Sequence, residues 1–223
     1  MSLVVPQSRF LAGIPASAVQ AILAKARPRR FPAGTIVTHQ GETATELFLV
    51  TKGRVRHFSS TPDGQKILLF WLGQGEIFGG ATLLAERSAY HVNTETVKDT
   101  SVLVWDRPTI RTLAARYPRI LENALWTASD YIDWLLAAHV ALSCHTAPQR
   151  LAGVLVSLAA LLGRAVPGGV ELDVTNEDLA CAAHITPFTA SRLLNEWQRH
   201  RAVIKRRGKV VLLAPEQLIT LTA

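Results

Sequence analysis

The spacing of hydrophobic residues changes twice along the chain. In the first stretch, short runs of β-branched and aromatic residues recur between glycines. These runs lie at 35–37, 47–50, 55–58, 67–71, 90–97 and 101–105. Short, evenly spaced strands that alternate with glycine turns are typical of a barrel or jelly-roll. We therefore expect about seven or eight strands folded into a β-roll.

Two local patterns refine this first stretch. Pro62-Asp63-Gly64 is a turn sequence, so the runs on either side of it are predicted to form a hairpin. Residues 1–30 lack the strand pattern, and Val19, Ile22 and Leu23 form a short apolar stripe. We expect those thirty residues to be helical and loop-like.

A long helix is predicted from Pro118, because residues 119–143 contain neither glycine nor proline. One set of positions repeats with spacings of 4 and 3, which is an a/d seam of three heptads. The seam consists of Leu121, Leu125, Ala128, Ile132, Leu135, His139 and Leu142. A helix packed on its own domain would show a similar pattern. We favour a coiled-coil dimer, because the helix is long and the small core before it leaves little to cover.

The third stretch combines helical and strand patterns. Thr146-Ala147-Pro148 ends the long helix, residues 149–163 form an apolar helix, and residues 170–174 form a short strand. Thr175 and Asp178 have the spacing of a capping box at the start of another short helix. Thr186-Pro187 then predicts the N-cap and first position of a second helix.

The second short helix has two distinct faces. Its buried stripe is predicted to contain Ala190, Leu193, Leu194 and Trp197. Phe188, Ser191, Arg192, Asn195 and Arg199 fall on the other side. Two short helices joined by a tight turn, with arginine on the free face of the second, are typical of a DNA-reading helix-turn-helix.

Residues 203–212 are predicted to form a hairpin with a basic tip, which is the wing of a winged helix. Basic side chains on such a hairpin suit phosphate contacts, although any one of them can be an ordinary solvated residue. We predict DNA contacts from ten residues: Thr186, Phe188, Thr189, Ser191, Arg192, Asn195, Lys205, Arg206, Arg207 and Lys209.

The local charge of the predicted helix-turn-helix supports DNA binding more strongly than the net charge of the whole chain does. The whole chain carries a formal net charge of +7, which favours anionic partners without naming one. Residues 186–209 contain seven basic side chains and one acidic side chain, Glu196.

Other residue patterns argue against several classes of protein. The two cysteines, Cys144 and Cys181, form no Cys-x-x-Cys pair and cannot hold an iron–sulfur cluster within one chain. There is no nucleophile–base pairing, metal-ligand spacing or phosphate loop, so we expect neither an enzyme nor a metal site. Without a signal peptide pattern or an apolar run of about 18 residues, the expected location is cytoplasmic, away from membranes.

The whole chain resembles the Crp/Fnr family, which includes the cyclic-AMP receptor protein and the anaerobic regulator FNR. Three regions carry the resemblance. They are residues 31–36 and 40–53 in the roll, Gly75-Glu76-Ile77-Phe78-Gly79-Gly80 with Arg87-Ser88-Ala89, and Thr189-Ala190-Ser191-Arg192-Leu193-Leu194.

The resemblance implies an α+β fold in three parts. These are an effector-sensing β-roll domain at 1–117, a dimerisation helix at 118–145 and a winged helix-turn-helix at 146–223. It also implies a homodimer that binds a small effector in the roll and a palindromic operator in double-stranded DNA. An activator of this kind would also contact RNA polymerase.

The predicted effector region departs from the cyclic-AMP binders. By resemblance it contains Phe78, Gly79, Gly80, Arg87, Ser88, Leu135 and Leu136. Gly80 stands where those proteins have a glutamate for the ribose hydroxyl, and Leu135-Leu136 stand where they offer Thr-Ser to the adenine. Arg87 and Ser88 match the phosphate-binding pair, although Arg87 could equally form a structural ion pair. We therefore expect an effector other than cyclic AMP.

Two alternatives keep the same fold. Some relatives bind haem, and a haem-based gas sensor could use His39, His57, His91, His139 or His145 as a ligand. The roll could also be a sensor module that acts on a protein partner, but the basic wing and Arg192 would then have no role.

In the predicted DNA-reading helix, Phe188 stands where relatives commonly have a glutamate. We therefore predict an operator that differs at the base which this glutamate contacts.

Overall fold

The structure is a computed structural model that describes residues 8–61, 66–215 and 218. Its contacts divide the chain into two compact units. The roll unit contains Met1–Gln65 and Leu69–Trp134, and the C-terminal unit contains Lys66–Leu68 and Leu135–Ala223. The predicted turn at Pro62-Asp63-Gly64 lies outside the described residues.

Two four-stranded antiparallel sheets form the β-roll. The first has the order β1 (Arg27–Phe31), β8 (Thr100–Asp106), β3 (Glu46–Lys52) and β6 (Ile77–Phe78). The second has the order β2 (Ile36–Thr38), β7 (Asn93–Thr96), β4 (Val55–Ser60) and β5 (Lys66–Leu72). These eight strands confirm the predicted roll, and β4 and β5 are neighbours as the hairpin prediction requires.

The strand β3 is buried on both faces, which explains its continuous apolar sequence. Successive side chains of a strand point to opposite sides. Leu47 and Leu49 therefore belong to a core shared with helices, whereas Phe48 and Val50 belong to a core shared with the second sheet. All four residues are at most 1% exposed.

The prediction that residues 1–30 contain only helix and loops is wrong for its last part. Helix α1 spans Ala16–Ala24, but Arg27–Phe31 form β1. This strand is at the edge of its sheet, pairs with β8 and leaves most of its side chains exposed. Edge strands tolerate charged residues and proline, so β1 has no alternating hydrophobic pattern to detect.

Two helices follow the last strand of the roll. Helix α2 (Arg107–Arg116), which the sequence analysis did not predict, begins where the Asp106 carboxylate accepts a bond from Thr109 N. Helix α3 spans Arg119–Cys144, close to the predicted 118–145. Its start is anchored in the roll unit, because Asn123 is 3% exposed and its amide donates to the Phe10 and Ala12 carbonyls, each at 2.9 Å.

Helices and a small antiparallel sheet follow the long helix in the C-terminal unit. Helix α4 spans Ala147–Leu162, α5 spans Asn176–Ala182 and α6 spans Pro187–Arg199. The antiparallel sheet has the order β11 (Val203–Arg206), β12 (Lys209–Leu212), β10 (Gly169–Leu172) and β9 (Arg164–Val166). The helix-turn-helix and its hairpin are therefore present as predicted, whereas β9 was not predicted.

Candidate functional site

The two short helices begin at the predicted caps. Thr175 Oγ1 accepts from Asp178 N at 3.1 Å, and the Asp178 carboxylate accepts from Thr175 N at 3.1 Å, which completes the capping box. At the start of α6, Thr186 Oγ1 accepts from Thr189 N at 3.1 Å, and Pro187 occupies the first turn. Such side chains satisfy amide groups that have no partner within the helix.

The turn between α5 and α6 has a support that the sequence did not reveal. His184 has a left-handed backbone with φ 51°, an uncommon conformation for a residue other than glycine. Arg150 from α4 donates to the carbonyls of Ala183 at 2.9 Å and His184 at 3.3 Å. No spacing pattern links an arginine 33 residues away to this turn, so only the fold could identify it.

Helix α6 separates a buried face from an exposed face. Ala190, Leu193, Leu194 and Trp197 are at most 2% exposed, as predicted. On the other side Phe188 is 79% exposed, and the Arg192 side chain is 59% exposed. Arg192 Nη1 lies 3.8 Å from Glu196 Oε2, a pair loose enough for the guanidinium to take another partner.

The wing hairpin contacts the exposed side of α6 through Lys205. Its Nζ donates to Asn195 Oδ1 at 2.8 Å and lies 3.4 Å from Ser191 Oγ. The Lys205 amide also donates to Gln198 Oε1 at 2.9 Å. Three predicted DNA-contacting residues are thus brought together in one polar group.

Another carboxylate contacts the wing and was missed by the sequence analysis. Glu171 on β10 lies 2.6 Å from Arg164, 2.9 Å from Lys209 and 3.9 Å from Arg206. Hydrogen bonds from Lys209 and Arg164 lower the pKa of Glu171, so the carboxylate is charged near neutral pH. Its presence means that two predicted phosphate contacts, Arg206 and Lys209, have a protein partner near them.

The predicted effector region of the roll unit contains a buried part and an exposed part. Phe78 is 2% exposed and stacks on Phe48 with ring centroids 4.5 Å apart, so its side chain belongs to the core. Gly79 has φ 80°, and a Cβ there would lie 2.5 Å from the Glu46 carbonyl oxygen. At Gly80 a Cβ would meet nothing within 4 Å. Arg87 is exposed and Ser88 is half-buried.

An aromatic cluster links α3 to this region. Phe70 packs against Tyr131 at 4.5 Å and against Trp134 at 5.4 Å between ring centroids. The Tyr131 hydroxyl donates to the Ile77 carbonyl at 3.1 Å. Burial raises the pKa of Tyr131, so this hydroxyl keeps its proton. Leu135 and Leu136 follow in the C-terminal unit and are 45% and 60% exposed.

A buried histidine lies at the edge of the aromatic cluster. His57 is 5% exposed, and its ring is 4.9 Å from that of Phe70. Its Nδ1 is 3.0 Å from Thr94 Oγ1, which accepts from Thr38 Oγ1 at 2.7 Å. Burial lowers the pKa of His57 to about 3, and a hydrogen bond with the Asn93 backbone only partly opposes that effect. The imidazole is therefore neutral at physiological pH.

Comparisons with known proteins match both units. Residues 28–117 match the cyclic nucleotide-binding domain family, and residues 149–221 match the Crp-like helix-turn-helix domain family. The cyclic AMP receptor protein of Thermus thermophilus is 30% identical over 185 residues, which cover 82% of each protein. The chain belongs to the Crp/Fnr family of transcription regulators.

One further relative and one solved structure of similar fold match most of the chain. A CRP-like cAMP-activated global transcriptional regulator of Mycobacterium tuberculosis is 25% identical over 219 residues, or 97% of each protein. The c-di-GMP responsive global regulator CLP of Xanthomonas campestris has a TM-score of 0.76 at 22% identity, covering 89% of this chain and 99% of that one. The predicted fold class is confirmed. Among the described residues, no helix has both the length and the apolar character needed to span a membrane.

The lowered pKa of the buried His57 predicts how the stability of this Crp/Fnr protein depends on pH. The folded pKa of His57 lies below the unfolded value of 6.5, so unfolding takes up a proton as the pH falls from 6.5 towards 3. The histidine should therefore contribute a loss of about 1.4 kcal/mol in unfolding free energy per pH unit over that range.

Urea unfolding at a series of pH values tests this effect. His57→Gln cannot titrate, so its unfolding free energy should fall less steeply below pH 6.5 than that of the wild type. The exposed His91→Gln serves as a control and should keep the wild-type slope. Equal slopes for His57→Gln and the wild type would contradict the assignment.

Proposed function

We propose that this Crp/Fnr protein is a homodimeric, sequence-specific DNA-binding regulator controlled by a small effector other than cyclic AMP. The three-part division at 1–117, 118–145 and 146–223 belongs to this proposal. The observation that carries it is the exposed face of α6, where Phe188 and Arg192 are exposed while Trp197 packs in the core on the opposite side.

Arg192 and the wing suit two different kinds of DNA contact. A guanidinium on a helix that enters the major groove can pair bidentately with guanine, and Phe188 can touch a thymine methyl group. The wing cations are on a hairpin that suits phosphate, which positions a protein without reading its sequence. The other predicted contacts of α6 support the same docking, since Thr186, Thr189, Ser191 and Asn195 surround this exposed face.

The exposed stripe of α3 supports a dimer. Leu125 is 72% exposed, Ile132 is 57% exposed and Leu142 is 43% exposed in a single chain. Burying apolar area is worth about 25 cal/mol per Å², so a contiguous stripe of this kind favours association with a second copy. The other seam positions are Leu121, Ala128, Leu135 and His139.

Replacing Leu125 and Ile132 together with glutamate should convert the dimer into a monomer. Two carboxylates would lie in each apolar seam and face those of the partner, where burial of unpaired charge is costly. Sedimentation equilibrium measures the mass directly. As a control, glutamate at the exposed but off-seam Ala137 should leave the dimer intact. A dimer that survives both seam changes would show that α3 pairs elsewhere or not at all.

The predicted effector region keeps residues suited to an anion but lacks the groups that would hold the ribose and base of cyclic AMP. Arg87 and Ser88 supply a cation and a hydroxyl. At Gly80, however, there is open space, whereas the cyclic-AMP binders that this chain resembles have a carboxylate at this position. Leu135 and Leu136 offer no polar group to a base edge, and an unpaired buried polar group costs about 1–3 kcal/mol. Relatives carry names that include cAMP and c-di-GMP, so effectors differ within the similar proteins.

Cyclic AMP should therefore fail as the effector. Isothermal titration calorimetry should detect no binding in the micromolar range, and adding cyclic AMP should leave DNA affinity unchanged. Gly80→Glu adds a carboxylate at a position where a Cβ meets nothing within 4 Å, so this variant tests whether that group alone raises the affinity for cyclic AMP. Micromolar cyclic-AMP binding by the wild type, accompanied by tighter DNA binding, would refute this part of the proposal.

The main test of the proposed function separates base reading from phosphate binding. Arg192→Ala should cost about 1–3 kcal/mol per half-site on the true operator and relax the preference at one base pair. Arg206→Ala should weaken binding to every sequence about equally and reduce the salt slope by about one unit. Titrations on the operator and each single-base variant, at several salt concentrations, measure both effects. An Arg192→Ala protein with unaltered base preference would make Arg192 a phosphate contact.

A further inference from the structure

Four charged side chains form a row across the small sheet of the C-terminal unit. Residues directly opposite each other in an antiparallel pair share one face of the sheet, as do residues two apart on one strand. Glu171 is opposite Arg164 on β9 and opposite Val211 on β12. Lys209 precedes Val211 by two positions and is opposite Arg206 on β11. Arg206, Lys209, Glu171 and Arg164 therefore lie on the same face.

The row has three cations and one carboxylate. The Glu171 side chain is only 8% exposed, whereas those of Arg164, Arg206 and Lys209 are 72%, 62% and 40% exposed. The cations thus cover the carboxylate and remain in contact with solvent. The lowered pKa of Glu171 fits this arrangement, because each neighbouring cation favours the ionised form.

We propose that Glu171 restrains the DNA affinity of the wing by holding Lys209 on its carboxylate, with Arg206 more loosely paired at 3.9 Å. This inference rests on the proposed DNA-binding function. A phosphate and the carboxylate compete for the same ammonium and guanidinium donors, so each wing contact with DNA replaces part of an existing ion pair. Since phosphate contacts carry no sequence information, the restraint acts on sequence-independent binding.

The proposed restraint does not extend to Lys205, another cation of the wing. Its Nζ is bound by Asn195 and Ser191 on α6 rather than by Glu171. The wing therefore holds its cations in two ways. Lys205 donates to neutral side chains on the reading helix, whereas Lys209 donates to an anion that Arg206 approaches more loosely. Only the second group should respond to a change at position 171.

Glu171→Gln tests the proposal with little change in shape. Binding of the full chain to a random-sequence duplex, and to the operator, is titrated between about 0.1 M and 1 M salt. Freeing one wing cation for phosphate should steepen the slope of log K against log salt by about 0.9, which corresponds to about eightfold tighter binding at the low-salt end relative to the high-salt end. Glu171→Asp keeps the charge and should retain a slope close to the wild type.

Two controls separate this effect from a general gain of positive charge. Glu177→Gln removes the same charge from an exposed position at the start of α5 and should change the slope less. In a Lys209→Ala background, Glu171→Gln should lose most of its effect, because a double-mutant cycle isolates the coupling of the pair. Circular dichroism verifies that each variant is folded.

Several outcomes would overturn the inference. Glu171→Gln binding that equals or falls below wild type would mean that the carboxylate does not restrain the wing. An equal gain in Glu177→Gln, or a full gain without Lys209, would assign the effect to net charge alone. If the wild type binds no duplex even at low salt, the proposed function itself fails and the inference with it. A wild type that binds DNA beside an unresponsive Glu171→Gln refutes the inference alone.

Discussion

The two-sided burial of β3 is the constraint on which the roll unit depends. A strand with apolar side chains on both faces needs two cores, and β3 has one on each side. Leu49 faces the helical side, where Trp105 is fully buried and donates its indole N–H to the Ile22 carbonyl at 2.9 Å. Phe48 faces the other sheet and stacks on Phe78. The stacking of Phe48 on Phe78 thus fixes where the glycine-rich segment after Phe78 begins.

That packing also constrains the backbone of the predicted effector region. Gly79 passes so close to the Glu46 carbonyl that a side chain there would collide with β3. The Tyr131 hydroxyl fixes the neighbouring Ile77 carbonyl from α3. Any effector that acts through this segment must act on backbone already held from two directions. Through the Tyr131 hydrogen bond, α3 contacts the region where an effector is expected.

The sequence predicted those elements whose signal is local. Glycine-bounded strands, caps at Thr175 and Thr186, the long helix and the buried stripe of α6 all depend on residues close together in the chain. It missed α2 in spite of the local cap at Asp106, and it failed where the signal is not local. The edge strand β1 shows charge instead of alternation, and β9 is only three residues long. Arg150 contacts the turn of the helix-turn-helix and Glu171 contacts the wing, and both contacts join residues that are more than 30 positions apart in the sequence.

For the candidate site, residue type alone indicated a surface but could not rank its cations. Arg192, Lys205, Lys209 and Arg206 are all basic residues in one short segment, and on sequence grounds they differ only in which element carries them. Their partners in the structure set them apart. Arg192 has a loose pair within its own helix, Lys205 is bound by neutral side chains on α6, and Lys209 shares a carboxylate with Arg164. The cost of moving each cation to a phosphate or base therefore depends on the bond it gives up. Because formal charge ignores that cost, the positive charge available to DNA is smaller than the residue count suggests.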